Sequence, residues 1–203
     1  MSVLTWEDVD YEVGVDRGVV FLDAAGYVWN GLVSVDEDSN VETKSLFLDG
    51  ANYLSVVTGR YFSAQVSAIT VPKGFLPCLG LDDLAAGIRL SRQPKRRFNF
   101  SYRTKKANGY NLHLVYNCLA TSDDKDHQTI GDSTEPEVRS WTFNATPSEV
   151  AGVFRPTAHF IVDSERVDPE VLNDIENLIY GTPSTTPDFP TVDELLAYFG
   201  DYG

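Results

Sequence analysis

Residues 98–117 read FNFSYRTKKANGYNLHLVYN, with apolar side chains at alternating positions on both sides of an Asn-Gly pair. A repeat of two is the mark of a strand, because successive side chains leave opposite faces of the pleat. Phe98, Phe100 and Tyr102 therefore share one face, and Asn99 and Ser101 share the other. After the pair, Tyr110, Leu112, Leu114 and Tyr116 oppose Asn111, His113 and Asn117. Asn108-Gly109 is a strong hairpin signal, since both residue types tolerate a positive φ. The expectation is a β-hairpin with one aromatic face turned to the core.

The same alternation recurs along most of the chain. GVVFL and GLVSV (18–22 and 31–35) flank an expected loop, DAAGYVWN. Phe62, Ala64, Val66 and Ala68 alternate with Ser63, Gln65 and Ser67 before Pro72, Gly74 and Pro77 break the pattern. Beyond a polar loop over 121–137, Trp141 and Phe143 alternate with Ser140, Thr142 and Asn144. Ala158, Phe160 and Val162 then alternate with Thr157 and His159.

A helical repeat comes only after these strands. Asp168 suits an N-cap and Pro169 the first helical position. Val171, Leu172, Ile175, Leu178 and Ile179 form an apolar stripe, and Gly181 ends it. A Pro-rich stretch, TPSTTPDFP, reads as an extended linker. TVDE then reads as the capping box of a short last helix bearing Leu195, Leu196 and Phe199. The expected plan is a mainly β domain over 1–181 with a helix at 168–180, then a helical C-terminal arm over 182–203. A helix this short needs a packing partner. The arm is expected to serve contacts between subunits and not the stability of the domain.

The 203 residues are enough for one well-buried core. No apolar run approaches the roughly 18–20 residues of a membrane helix. The start, MSVLTWEDVDYE, has no apolar signal core, so the protein is expected to stay where it is made. Cys78 and Cys118 stand alone without a metal-type spacing, which suits a reducing compartment. A disulfide between them remains open.

Formal net charge is −14, so most of the surface repels nucleic acid. One stretch differs. Residues 92–106 hold seven of the 16 basic residues and no acid: Arg92, Lys95, Arg96, Arg97, Arg103, Lys105 and Lys106. With Phe98, Phe100 and Tyr102 directed to the core, no ring is left to stack on a base. These charges are expected to meet acids of a neighbouring subunit, one group at each end of the strand.

Catalytic motifs are missing: the chain has no P-loop, GxGxxG, GxSxG or HExxH. DEDSN at 36–40 opens like a calcium loop. It then places Val41 where glycine is required and Phe47 where glutamate is required. DDKDH at 123–127 lies in a polar loop with no spaced partner, and His113, His127 and His159 are distant in sequence. No cofactor, metal or catalytic residue is expected.

The polar sides of the strands are more informative. Ser63, Gln65, Ser67, Ser140, Thr142 and Asn144 carry no charge, and Asn99/Ser101, Asn111/His113/Asn117 and Thr157/His159 continue the pattern. Such faces suit contact with another subunit or the lining of a confined channel.

Eight segments carry a family likeness in order along nearly the whole chain: GVDRGVVF, GYVWNGLVSV, LFLDGANYL, GYNLHLVYNCLA, SWTFNATP, RPTAHFIVDS, LIYGT and PTVDELLAYF. Together they resemble the major tail, or tail tube, proteins of bacteriophages with long, non-contractile tails. The resemblance implies a β-sandwich with a flanking helix. It implies hexameric rings stacked into a tube through which DNA leaves the capsid without specific binding. Partners would be like subunits and the terminator, tape measure and distal tail proteins, in a virion assembled in the host cytoplasm, with no membrane. Other readings are another virion ring protein, such as a distal tail or head–tail connector component, or a β-sandwich carbohydrate-binding module. The last would need clustered exposed aromatics.

Overall fold

The computed structural model describes residues 11–38, 42–48, 51–58, 62–122, 136–150 and 156–200, with backbone alone for 42–48 and 51–58. Strands dominate. In chain order they are β1 (Glu12–Leu22), β2 (Ala25–Trp29), β3 (Leu32–Asp38), β4 (Glu42–Leu48), β5 (Ala51–Thr58) and β6 (Ser63–Ala68). A 3₁₀ segment, Lys73–Leu79, precedes β7 (Asp82–Ala85), β8 (Ile88–Leu90), β9 (Phe98–Lys106) and β10 (Tyr110–Ser122). Then come β11 (Arg139–Ala145), β12 (His159–Asp163) and helices α1 (Pro169–Tyr180) and α2 (Val192–Ala197). Neither helix is long and apolar enough to cross a membrane.

Eight strands form one antiparallel sheet, ordered β2-β1-β9-β10-β11-β6-β3, with β12 added beside β10. In a flat sheet β2 and β11 would lie about 19 Å apart, at roughly 4.8 Å per strand. The rings of Trp29 on β2 and Trp141 on β11 are 5.2 Å apart. The sheet therefore curls over on itself. β1, next to one end of the sheet, meets β3 at the other so closely that a Cβ at Gly18 on β1 would fall 2.4 Å from Leu32 Cδ1 on β3. The interior is filled by Trp29, Phe75, Phe98, Phe100, Trp141 and Phe143, all buried. Cys78 and Cys118 lie in this core as free thiols, and burial pushes Cys78 up to about 12.

Two expectations change here. The segment 23–30 is not a loop, because β2 runs through it and pairs Val20 with Tyr27 and Leu22 with Ala25. The hairpin after Phe98 forms, with Lys106 N–H donating to Gly109 O at 2.8 Å. Neither Asn108 nor Gly109 takes a positive φ. Glycine is needed at 109 for space, since a Cβ there would lie 2.5 Å from Ser164 Oγ.

Nor does the hairpin have a single aromatic face. The register sets Tyr102 opposite His113 and Phe100 opposite Val115, while Ser101 faces Leu114 and Arg103 faces Leu112. Opposed residues share a side of the sheet. Phe98, Phe100 and Tyr102 thus enter the curled interior, and Leu112, Leu114 and Tyr116 enter a second apolar layer on the outside. Ser101, expected to face away, is fully buried.

The helices cover that outer layer. Asp168 caps α1, accepting the Glu170 N–H at 2.8 Å, and Ile175 and Ile179 are buried against β1 and β10. The Pro-rich stretch makes a tight turn at Thr182–Thr185 instead of an extended linker. Asp188 N–H then donates to Leu178 O at 2.8 Å. The Phe189 ring packs 5.2 Å from Phe21, tilted, and 4.9 Å from Tyr116, edge to face. Thr191 and Glu194 form the expected capping box of α2, and Val192 and Leu195 are buried in the same layer. The C-terminal extension is part of the domain's own core rather than a free arm.

Replacing Phe189 with alanine should therefore destabilise the isolated domain by about 3 kcal/mol in urea unfolding. Ending the chain at residue 181 should lower the thermal midpoint further. An unchanged midpoint would return the extension to a role purely between subunits.

Candidate functional site

The six uncharged residues of β6 and β11 meet on one outward face. The register sets Ser140 opposite Ser67, Thr142 opposite Gln65 and Asn144 opposite Ser63. Ser67 and Ser140 hydroxyls lie 2.9 Å apart, and Ser63 Oγ donates to Asn144 Oδ1 at 3.2 Å. The alternate residues Ala64, Val66, Ala68, Trp141, Phe143 and Ala145 are buried beneath. The strip continues onto β10, where Thr121 opposes Thr142, and onto β3, where Ser34 opposes Ser67. It turns acidic only there, at Asp36 and Asp38. The other uncharged sets do not join it: Asn111, His113 and Ser101 are buried.

The basic stretch divides. Arg92, Lys95, Arg96 and Arg97 are exposed, as their position before β9 allows. Arg92 sits at a φ of 61°. Lys95 Nζ donates to Ala120 O at 2.9 Å, and Arg96 lies 3.7 Å from Asp23. Arg97 Nη1 donates to Asn117 O at 3.1 Å and to Thr146 Oγ1 at 2.8 Å. Those bonds hold a bulge. Asn117 has a φ of 53°, and its N–H donates to Asn99 Oδ1 at 2.9 Å. At this bulge β10 changes partner, pairing with β12 before it and β11 after it.

The second half is taken up within the chain, against the expectation of contacts with a neighbour. Arg103 forks onto Asp16, at 3.0 and 3.2 Å, and reaches Glu176 of α1 at 3.3 Å. Its guanidinium lies 4.3 Å over the Tyr110 ring. Lys105 lies 3.4 Å from Asp16, and buried Lys106 donates to Asp163 at 3.0 Å. Burial alone would raise the Asp16 carboxyl, but the hydrogen bonds and charges of Arg103 and Lys105 hold it below the usual range.

The three apolar candidates of the C-terminal segment also separate, Phe199 lying beyond the end of α2. Leu195 is buried, while Leu196 and Phe199 are half-buried. With Phe160, Ile161, Val162 and Val167 they line an open pocket of about 300 Å³ beside β12.

One cluster escaped sequence reasoning. His113 on β10 and His159 on β12 bring Nδ1 and Nε2 to 3.0 Å, and Glu37 Oε1 on β3 lies 3.4 Å from His113 Nδ1. Burial lowers both imidazoles to about 4, His113 also through the neighbouring His159, so both are neutral near pH 7. The polar rows containing His113 and His159 were visible, but their pairing is a matter of register between distant strands. His127 and the DDKDH segment lie outside the described residues.

Comparison with family models finds no match, and no curated protein matches the chain.

The Arg103 pairs generate a prediction with a definite sign. Asp16 is held below its ordinary 3.8, so its contribution is present above that value and lost as pH falls through the lower folded one. Arg103→Met should cost about 2 kcal/mol at pH 7, because it strands two part-buried carboxylates. The gap from the parent chain should narrow in urea titrations below pH 3.8.

Proposed function

We propose that this chain is a tail tube subunit of a long, non-contractile phage tail, a virion structural protein and not an enzyme. In this reading like subunits form hexameric rings, and the rings stack into the channel for DNA ejection. The fold would then be the tail-tube form of the β-sandwich, built here by one curled sheet. The observation that carries the reading is the uncharged polar face of β6 and β11, extended by Thr121 on β10 and Ser34 on β3. A strand face open to bulk solvent usually draws lysine and glutamate, whereas a face joined to a like sheet or lining a narrow channel has no such need. A lining without cations also leaves duplex DNA free to move, because phosphate affinity comes mainly from lysine and arginine.

Two features support assembly. Hairpins β4–β5 and β7–β8 form separate two-stranded sheets. The β7–β8 hairpin is exposed, with Leu84, Ile88 and Leu90 on its surface. Such a hairpin is marginal alone and gains from a neighbour. At the other end of the basic stretch, Arg92, Lys95, Arg96 and Arg97 offer exposed cations to acids of a like subunit. Such pairs are worth about 0–1 kcal/mol each, but a ring repeats them. Terminator, tape measure and distal tail proteins would be the further partners.

Negative-stain microscopy and sedimentation of the purified chain over a concentration series should show rings or tubes. Gln65→Glu with Asn144→Glu should leave the melting temperature within a few degrees and abolish the tubes. Arg92→Glu with Arg96→Glu should weaken them in a salt-dependent manner. A strict monomer throughout, or assembly indifferent to all four substitutions, would sink the proposal.

A further inference from the structure

We propose that Glu37, His113 and His159 form a binding site for a divalent transition metal ion of the zinc class. Three strands of the main sheet supply one ligand each, so the site exists only in the folded chain. Metal–ligand bonds of about 2.0–2.1 Å in a tetrahedron put neighbouring ligand atoms about 3.3 Å apart. His113 Nδ1 stands 3.0 Å from His159 Nε2 and 3.4 Å from Glu37 Oε1. All three residues can place a ligand atom within 4.8 Å of one another. Two imidazoles and one carboxylate suit zinc, cobalt or nickel, while calcium and magnesium prefer oxygen alone.

The surroundings have what a metal centre needs beyond its ligands. Thr104 Oγ1 lies 2.9 Å from His113 Nε2. When Nδ1 binds an ion, Nε2 carries the proton and donates to this hydroxyl, which fixes the tautomer. Tyr102 OH donates to Glu37 Oε1 at 2.5 Å and holds the carboxylate. Tyr102 stacks on His113 at 4.4 Å, and Phe62 packs 4.5 Å from His159, so both rings are held from the side. The His113 side chain is 3% exposed and that of Glu37 is 38%, which leaves one open approach for an ion and a fourth ligand.

Without metal, one proton bridges the two rings between His113 Nδ1 and His159 Nε2. The ion takes its place. His159 then carries its proton on Nδ1, which faces Glu37 Oε2 at 3.8 Å.

The test uses the full, untagged chain stripped with a chelator and then loaded with zinc. After desalting, elemental analysis should give about one zinc per chain, with calcium and magnesium not retained. Cobalt(II) should give the intense visible absorption of a tetrahedral site. Glu37→Gln and His159→Gln should each remove the cobalt spectrum and the retained zinc. Thr104→Val, which leaves every ligand in place, should weaken zinc binding by about 10–100-fold. Zinc retained equally by the parent chain and His159→Gln would overturn the proposal, as would a parent chain that retains none. Circular dichroism of each variant separates loss of the site from loss of the fold.

Discussion

Trp29 is the contact on which the architecture turns. It sits on the end strand of the sheet and packs at once on Phe75, Phe100, Trp141 and Phe143. Its indole N–H donates to Thr70 O at 2.7 Å, so the buried polar atom is satisfied where the ring is deepest. Aromatic rings bury large apolar areas, and bringing five of them together closes the sheet on itself. An open eight-stranded sheet would leave these rings in water. The curl determines everything that faces inward, including the side of β3 that presents Glu37 to the histidines.

The second constraint is the division of β10. A strand of 13 residues carries two different neighbours on one edge, β12 along its first half and β11 along its second. A bulge at Asn117 makes the transition, and Arg97 and Asn99 satisfy its backbone. The first half is thereby buried on both sides, between the aromatic interior and the helical layer. The second half keeps one side open and extends the polar strip from β11. One strand thus links the stable body to the face on which assembly is proposed to depend. Part of the basic stretch serves this junction, which explains cations in a chain otherwise so acidic.

Much of the local structure was legible in the residues. Alternation located the inward rows Ala64/Val66/Ala68 and Trp141/Phe143 and the outward rows opposite them. The caps Asp168 and Thr191 and the stop at Gly181 marked both ends of α1 and the start of α2 within a residue, while Phe199, expected on the last helix, lies beyond its end. These succeeded because each rests on neighbours in sequence. A period of two is a property of one strand, and a cap is a hydrogen bond spanning two or three residues.

What the chain alone could not determine was which rows meet. Alternation says that Phe100 and Ser101 leave opposite sides of β9, but not that both sides are buried, because that depends on helices placed some seventy residues later in the sequence. The same holds for Arg103, whose partners Asp16 and Glu176 lie on distant elements, and for Phe189, which fills a gap left by Phe21 and Tyr116. The histidine pair is the clearest case. His113 and His159 each occupy an unremarkable polar position, and only the β10–β12 register and the curl of β3 bring them to one carboxylate. Sequence determined the periodicity and the caps, which are local; tertiary structure decided burial, ion pairing and the composition of both candidate sites, because these depend on register and closure between strands far apart in the chain.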